Sequence, residues 1–279
     1  DELAKSVPEF NFIPFAVERG LDYQREEKAL SGLLQKAIDN PYASQAPKSP
    51  IDLLFNNAVL IGGVVRPNTR IGEDANIWYG SIFGNGAAIS NGGHVLTDWH
   101  VVKGAISDGL QIVAIDINKN VHVAKAVAVS ERYDLALLKT DISGRYDVYL
   151  ADVSRIKRGE PVFIGGLNLE GRVEYDKNTF QIKNKGEIRI RSFTSEGTFV
   201  GIRDYIISLG GTILANPIET KAFARGGYSG TLMADTRGRV IGITYATDYV
   251  NTFASSASNI RRFISLYLDG LRLAVANPN

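Results

Sequence analysis

Three short stretches hold side chains that could carry out covalent chemistry together. Ser229 lies in Ala224-Arg-Gly-Gly-Tyr-Ser-Gly-Thr-Leu-Met. A serine hydroxyl is a poor nucleophile at neutral pH. It needs a tight turn to present it, a base to take its proton, and N–H donors for the oxyanion. Gly226, Gly227 and Gly230 allow such a turn, because glycine tolerates positive φ and close backbone approach. His100 sits in Leu96-Thr-Asp-Trp-His-Val-Val and is one of only three histidines, with His94 and His122. Asp134 opens the apolar run Leu135-Ala-Leu-Leu, where a buried carboxylate needs a partner. An imidazolium is one such partner, and a capped turn is the other. Taken singly, each stretch also has a plain structural reading: a hairpin turn for Ser229, a core position for His100, a cap for Asp134. His94, beside Gly92 and Gly93, and His122, at the edge of an alternating run, read as exposed.

The elements that must position these residues are mostly strands. From about residue 56, glycines punctuate short alternating or β-branched runs: Val59–Ile61, Gln111–Ile115, His122–Val129, Asp134–Lys139, Pro161–Ile164, Phe180–Ile182, Glu187–Arg191, Tyr205–Ser208 and Arg239–Ile243. Strands at this spacing without intervening helices predict antiparallel barrels or sandwiches. Gly84-Asn-Gly and Asn91-Gly-Gly read as turns. Leu30, Leu33, Leu34, Ala37 and Ile38 recur at helical spacing between Val17 and Asn40, and Pro41 follows as a stop. The proline-containing stretch Pro41 to Pro50 reads as a linker. A closing helix is predicted over about 258–274, capped by Ser258 or Asn259.

Composition removes other classes of chemistry. The 279 residues include no cysteine, so disulfide scaffolds, zinc–thiolate sites and cysteine nucleophiles are excluded. With 31 Lys+Arg against 30 Asp+Glu, the net charge of +1 argues against a non-specific grip on nucleic acid. The longest stretch without a charged residue, Ala75 to Thr97, is rich in Gly, Asn and Ser, so no membrane span is expected. Arg189 and Arg191 share one strand face, near Lys183 and Lys185, and read as a solvated face.

Together, Leu96-Thr-Asp-Trp-His100-Val-Val, Asp134-Leu-Ala-Leu-Leu and Gly227-Tyr-Ser229-Gly, followed by Gly238-Arg-Val-Ile-Gly-Ile, resemble the trypsin-like (chymotrypsin-fold) serine peptidases, most closely the HtrA-like and other bacterial-type branches. The order His, Asp, Ser is the chymotrypsin order, and the resemblance covers roughly residues 56 to 275. It implies an all-β fold: a double antiparallel β-barrel with a helical N-terminal arm and a C-terminal helix. The arm and linker would span 1–55, barrel one about 56–150 and barrel two about 151–255. It further implies a serine endopeptidase in which Asp134 orients His100 and His100 takes the Ser229 proton. The backbone N–H groups of Gly227 and Ser229 would form the oxyanion hole. Phe223 would lie near the base of the primary specificity pocket, favouring small or medium apolar side chains. Thr244, Tyr245 and Ala246 would pair with an extended substrate.

No metal or organic cofactor is implied. The expected partner is a protein or peptide substrate, the setting periplasmic or secreted, and no PDZ domain is expected after the closing helix. Two alternatives stay open: a catalytically silent fold that binds peptides, and an esterase. Three positions depart from the family pattern. Tyr228 stands where secreted digestive members carry Asp, Thr231 replaces a second glycine and could crowd the oxyanion turn, and Trp99 is bulkier than usual. The arm is expected to be a strap, an oligomerisation element or an inhibitory segment over the cleft.

Overall fold

The computed structural model describes residues 11–12, 24–30, 34, 49–65, 77–176, 178–209 and 212–276. Barrel one is built from β2 (Ala58–Val65), β3 (Ile77–Ala88), β4 (His94–Thr97), β5 (Gln111–Ile115), β6 (Val121–Ser130) and β7 (Leu135–Lys139). These strands run in the order β6-β5-β2-β3-β4-β7, and a β6–β7 pairing closes the ring. The short β1 (Asn11–Phe12) adds to the outside of β6. Barrel two is the closed ring β10-β13-β16-β15-β14-β8. Its strands are β8 (Pro161–Glu170), β10 (Arg189–Ile202), β13 (Ile218–Thr220), β14 (Leu232–Asp235), β15 (Val240–Thr247) and β16 (Thr252–Ser256), all paired antiparallel. The hairpin β11 (Ile206–Leu209) and β12 (Thr212–Ala215) stands apart from both rings.

The barrels are sewn together at their boundary. The segment after β8 crosses over, and β9 (Val173–Asp176) pairs with β3 of barrel one. Tyr175 on β9 is fully buried, and a Cβ at Gly80 would lie 2.1 Å from its ring. Leu167, Val173, Tyr175 and Ile188 share one buried cluster with Leu60, Val113 and Ile115. That shared apolar core holds the two halves at a fixed angle.

Several local expectations need correction. Phe180–Ile182 forms no strand, only an isolated bridge from Ile182 to Tyr175. Gly84-Asn-Gly is not a turn; it lies inside β3. The end of the expected linker starts a helix, α1 (Pro50–Asn56): Ser49 accepts from the Asp52 N–H at 3.2 Å and Pro50 sits in the first turn. α2 (Trp99–Ser107) follows β4 directly. The closing helix is α3 (Ala257–Ala276). Its cap is Ser256, whose hydroxyl accepts from the Asn259 N–H at 3.1 Å, rather than Ser258 or Asn259. Ile260, Phe263, Ile264 and Tyr267 of α3 are fully buried, as their helical spacing predicts.

The described part of the N-terminal arm is helical over 24–30 and is fastened to barrel one by a buried polar cluster. Leu30 is fully buried beside α3 residues in the largest core. Glu26 accepts from His94 Nε2 at 2.5 Å and from the Lys139 ammonium, while the Ser90 hydroxyl meets His94 Nδ1 at 2.7 Å. His94, expected to be exposed, is therefore buried completely. Burial lowers its pKa; Glu26 opposes that shift and the Lys139 charge adds to it. The ring is thus neutral, donating from Nε2 and accepting at Nδ1. Burial alone would raise the Glu26 carboxyl, but His94 and Lys139 together hold it below the usual range. The expected helical residues 17–23 and 35–40 lie outside the described residues. Of 31–34, only Leu34 is described, and it is helical.

A stability prediction follows. Glu26→Ala leaves Lys139 and His94 without their acceptor and is expected to cost about 3 kcal/mol, read from denaturant unfolding. His94 and Glu26 bind protons more weakly folded than unfolded, so the stability from this cluster is complete above pH 6.5. It is lost as pH falls below 6.5 through the lowered pKa of His94, then below 4.5 through that of Glu26. Glu26→Ala should remove the part below pH 4.5 and leave or deepen the part below 6.5, because Glu26 is the group that opposes the downward shift of His94. A loss of the part below 6.5 would refute the assignment.

Candidate active site

The three singled-out residues converge where the barrels meet. The chain leaves β4 at Thr97, and α2 starts at once, so His100 falls in its first turn. Asp134 ends the turn before β7 with φ of +49°, a conformation that Asp tolerates better than most residues. This unusual backbone aims both carboxylate oxygens at one residue. Oδ1 accepts from the His100 backbone N–H at 2.9 Å, and Oδ2 accepts from His100 Nδ1 at 2.6 Å. The Trp99 N–H donates to the Asp134 carbonyl at 3.1 Å. Asp134 is fully buried, whereas the His100 side chain is 28% exposed on the cleft. Tyr245 packs edge-on against the imidazole, with centroids 5.6 Å apart. Among the described residues, His100 Nε2 has no hydrogen-bond partner.

Ser229 lines the same cavity as His100, a space of about 370 Å³ whose walls include Ala224, Thr244, Tyr245 and Ala246. Its hydroxyl donates to the Tyr245 carbonyl at 3.2 Å. The glycines around it are required by the backbone: Gly227 has φ +90° and Gly230 φ +83°. A Cβ on Gly230 would also lie 1.9 Å from the Asn85 carbonyl oxygen. The backbone N–H groups of Gly227 and Ser229 find no acceptor among the described residues, which leaves them available to an oxyanion. Thr244, Tyr245 and Ala246 lie on β15 at a bulge. β14 pairs with β15 as far as Ile243, and Thr244 still bonds to the segment before β14. Its N–H donates to the Thr231 carbonyl at 2.8 Å and its carbonyl accepts from the Gly230 N–H at 2.9 Å. β14 does not pair with the end of β15 past this point. That is the geometry an extended peptide can join.

Phe223 requires a correction. Its side chain is 57% exposed and forms no part of the cavity wall, because the chain turns outward just before Ala224. Arg225, Thr247 and Tyr249 line the wall beside Ala224, so Phe223 does not supply the base on which the expected side-chain preference rested.

Asn85 is a supporting residue that the sequence did not announce. From β3 its backbone N–H donates to the Ser229 carbonyl and its side-chain amide to the Gly227 carbonyl, both at 2.8 Å. Its Oδ1 accepts from the Leu167 N–H of β8 at 2.8 Å. The flanking Gly84 was the available signal: a Cβ there would lie 2.9 Å from the Ser229 carbonyl oxygen. The other departures are absorbed by packing. Tyr228 stacks on Phe193 at 3.7 Å, and the Thr231 methyl occupies the space left by Gly166, where a Cβ would come within 2.5 Å of it. The Trp99 side chain is 9% exposed and packs in the barrel-one core.

Residues 84–243, more than half of the chain, match the family model of the trypsin-like peptidase domain. The chain belongs to the trypsin-like peptidase family. Among curated proteins, this trypsin-like peptidase is similar to a probable periplasmic serine endoprotease DegP-like of Marinomonas sp. (strain MWYL1), 36% identical over 87 residues. That match covers 31% of this chain and only 18% of the relative's length. Among solved structures, the HtrA-type protease AlgW with decapeptide superposes with a TM-score of 0.56 at 17% identity, covering 82% of this chain and 67% of that one. Deg5 superposes at 0.55 and 20% identity, covering 78% and 92%. These likenesses establish the chymotrypsin-like double barrel. Among the described residues, no helix of this trypsin-like peptidase is long and apolar enough to cross a membrane.

Proposed function

We propose that this chain is a serine endopeptidase that cleaves extended protein or peptide substrates through Ser229, His100 and Asp134. The observation that carries the reading is the oriented imidazole. Asp134 holds Nδ1 at 2.6 Å, so the proton is on Nδ1 and Nε2 is a free acceptor on the cleft that also holds Ser229. In the free enzyme the hydroxyl rests on the Tyr245 carbonyl, and a change of χ1 well turns it toward Nε2. His100 takes that proton as Oγ attacks the scissile carbonyl. The Gly227 and Ser229 N–H groups receive the developing oxyanion, and the imidazolium returns the proton to the leaving amine. Asp134 stays ionised and stabilises the imidazolium. The substrate lies along the end of β15, where Thr244, Tyr245 and Ala246 line the cavity; the backbone of Thr244 itself stays bonded to Gly230 and Thr231.

One observation favours the rival, a silent peptide-binding fold: Ser229 donates to Tyr245 rather than to His100. A fluorophosphonate probe separates the readings, because it reacts only with a serine whose proton can be removed. Labelling of the folded wild-type chain, blocked by an excess of peptide substrate, is the expected result. A folded chain that never labels while still binding peptide would overturn the enzyme reading. Turnover of esters without cleavage of any peptide would favour the esterase alternative.

A further inference from the structure

Asp98 is a second buried carboxyl beside the cleft, and the mechanism above gives it no role. It occupies the cap position of α2 with extended backbone angles, yet its side chain makes no bond to the helix N-terminus. Instead Oδ2 reaches across the barrel boundary and accepts from the Gly230 N–H at 2.8 Å. That N–H, directly after Ser229, is shared with the Thr244 carbonyl at 2.9 Å. Asp98 is fully buried, and its Oδ1 has no partner among the described residues. One ligand-type atom from each of Asp98, His100 and Asp134 lies within 4.8 Å of the others. Thr97, the preceding residue, donates to the Asn85 carbonyl at 2.6 Å. One short segment therefore bonds both to Asn85, which itself holds the nucleophile turn, and directly to the Gly230 N–H before it delivers His100.

We propose that Asp98 is a positioning residue: it ties the turn carrying Ser229 to the helix carrying His100, and so sets how hydroxyl and imidazole meet. This rests on the serine-peptidase reading above. The titratable groups beside Asp98 are Asp134 from the turn before β7 and His100 of α2. Burial drives its carboxyl well above the usual range, the Asp134 charge adds to this, and the Gly230 N–H pulls the other way. Burial therefore favours the neutral form of this carboxyl. An Asp whose Oδ2 accepts from an N–H has a close mimic in Asn.

The test compares Asp98→Asn and Asp98→Ala in the full chain by three readouts: fluorophosphonate labelling rate, its pH profile, and hydrogen exchange of peptides covering residues 225–232. The Asn variant is expected to label within about 3-fold of wild type, because it keeps the acceptor. Its pH–rate midpoint should stay within about 0.3 unit, because no charge has been removed. The Ala variant should label about 100-fold more slowly with little change in KM for a peptide substrate. Exchange in 225–232 should quicken in Ala and not in Asn. Full labelling by the Ala variant, an Asn variant as slow as Ala, or a midpoint displaced by about one unit in Asn would each overturn the proposal. The exchange measurement reads the tie even if the wild-type chain proves unreactive, which separates failure of this assignment from failure of the peptidase reading.

Discussion

Ser229→Ala is expected to remove about 10⁶-fold of peptide hydrolysis in kcat and to abolish fluorophosphonate labelling, while leaving KM nearly unchanged. The large factor follows from the absence of any substitute: no cysteine exists in the chain, and Asp134 is fully buried behind the imidazole. Peptide binding survives because β15, the cavity wall and the oxyanion N–H groups do not involve the hydroxyl. Folding survives too, since the only bond lost is the 3.2 Å contact to the Tyr245 carbonyl, a matter of about 1 kcal/mol. His100→Ala should lose a similar factor, and the double variant hardly more, because the two act as one unit. Initial-rate kinetics with thermal melts check all three. Hydrolysis persisting in Ser229→Ala would refute the assigned nucleophile.

Asp134→Asn should cost about 10⁴-fold in kcat with the fold intact. The reason lies in the two bonds Asp134 makes. Its Oδ1 accepts from the His100 backbone N–H, and an asparagine keeps that bond only by turning its carbonyl oxygen to this position. The NH₂ group then faces Nδ1 and forces it to become an acceptor, which moves the ring proton to Nε2. An imidazole protonated at Nε2 cannot receive the proton from Ser229. Asn also tolerates the φ of +49° at this position, so thermal unfolding should shift little. The discriminating measurement is the hydrolysis rate beside a crystal structure of the variant. A variant with wild-type kcat would show that Asp134 does not set the tautomer.

The candidate site was legible because each of its parts is local. Four or five consecutive residues around His100, Asp134 and Ser229 carry the turn glycines, the apolar flanks and the reactive group together. What escaped depended on contacts between distant segments. Asn85 reads as the centre of a turn because Gly-Asn-Gly is the composition of one, yet those glycines serve close approach within β3. Glu26 looks like an ordinary exposed acid on a helix until β4 brings His94 and β7 brings Lys139 against it. Phe223 was misplaced by counting back from Ser229, and a count cannot show where the chain turns outward. Half of the sixteen described strands were found from their alternation, but not the crossing of β9 onto β3, since a sequence period says which face is buried and not which neighbour covers it.

The stitches from Asn85 and Asp98 to the reactive turn have a consequence for biosynthesis. The serine loop belongs to the half of the polypeptide made later, but several of the hydrogen bonds that shape it come from the half made earlier. Until those later residues are made, His100 and Asp134 have no serine partner. On the serine-peptidase reading proposed above, the site is complete only once the strands of the second ring have docked on the first.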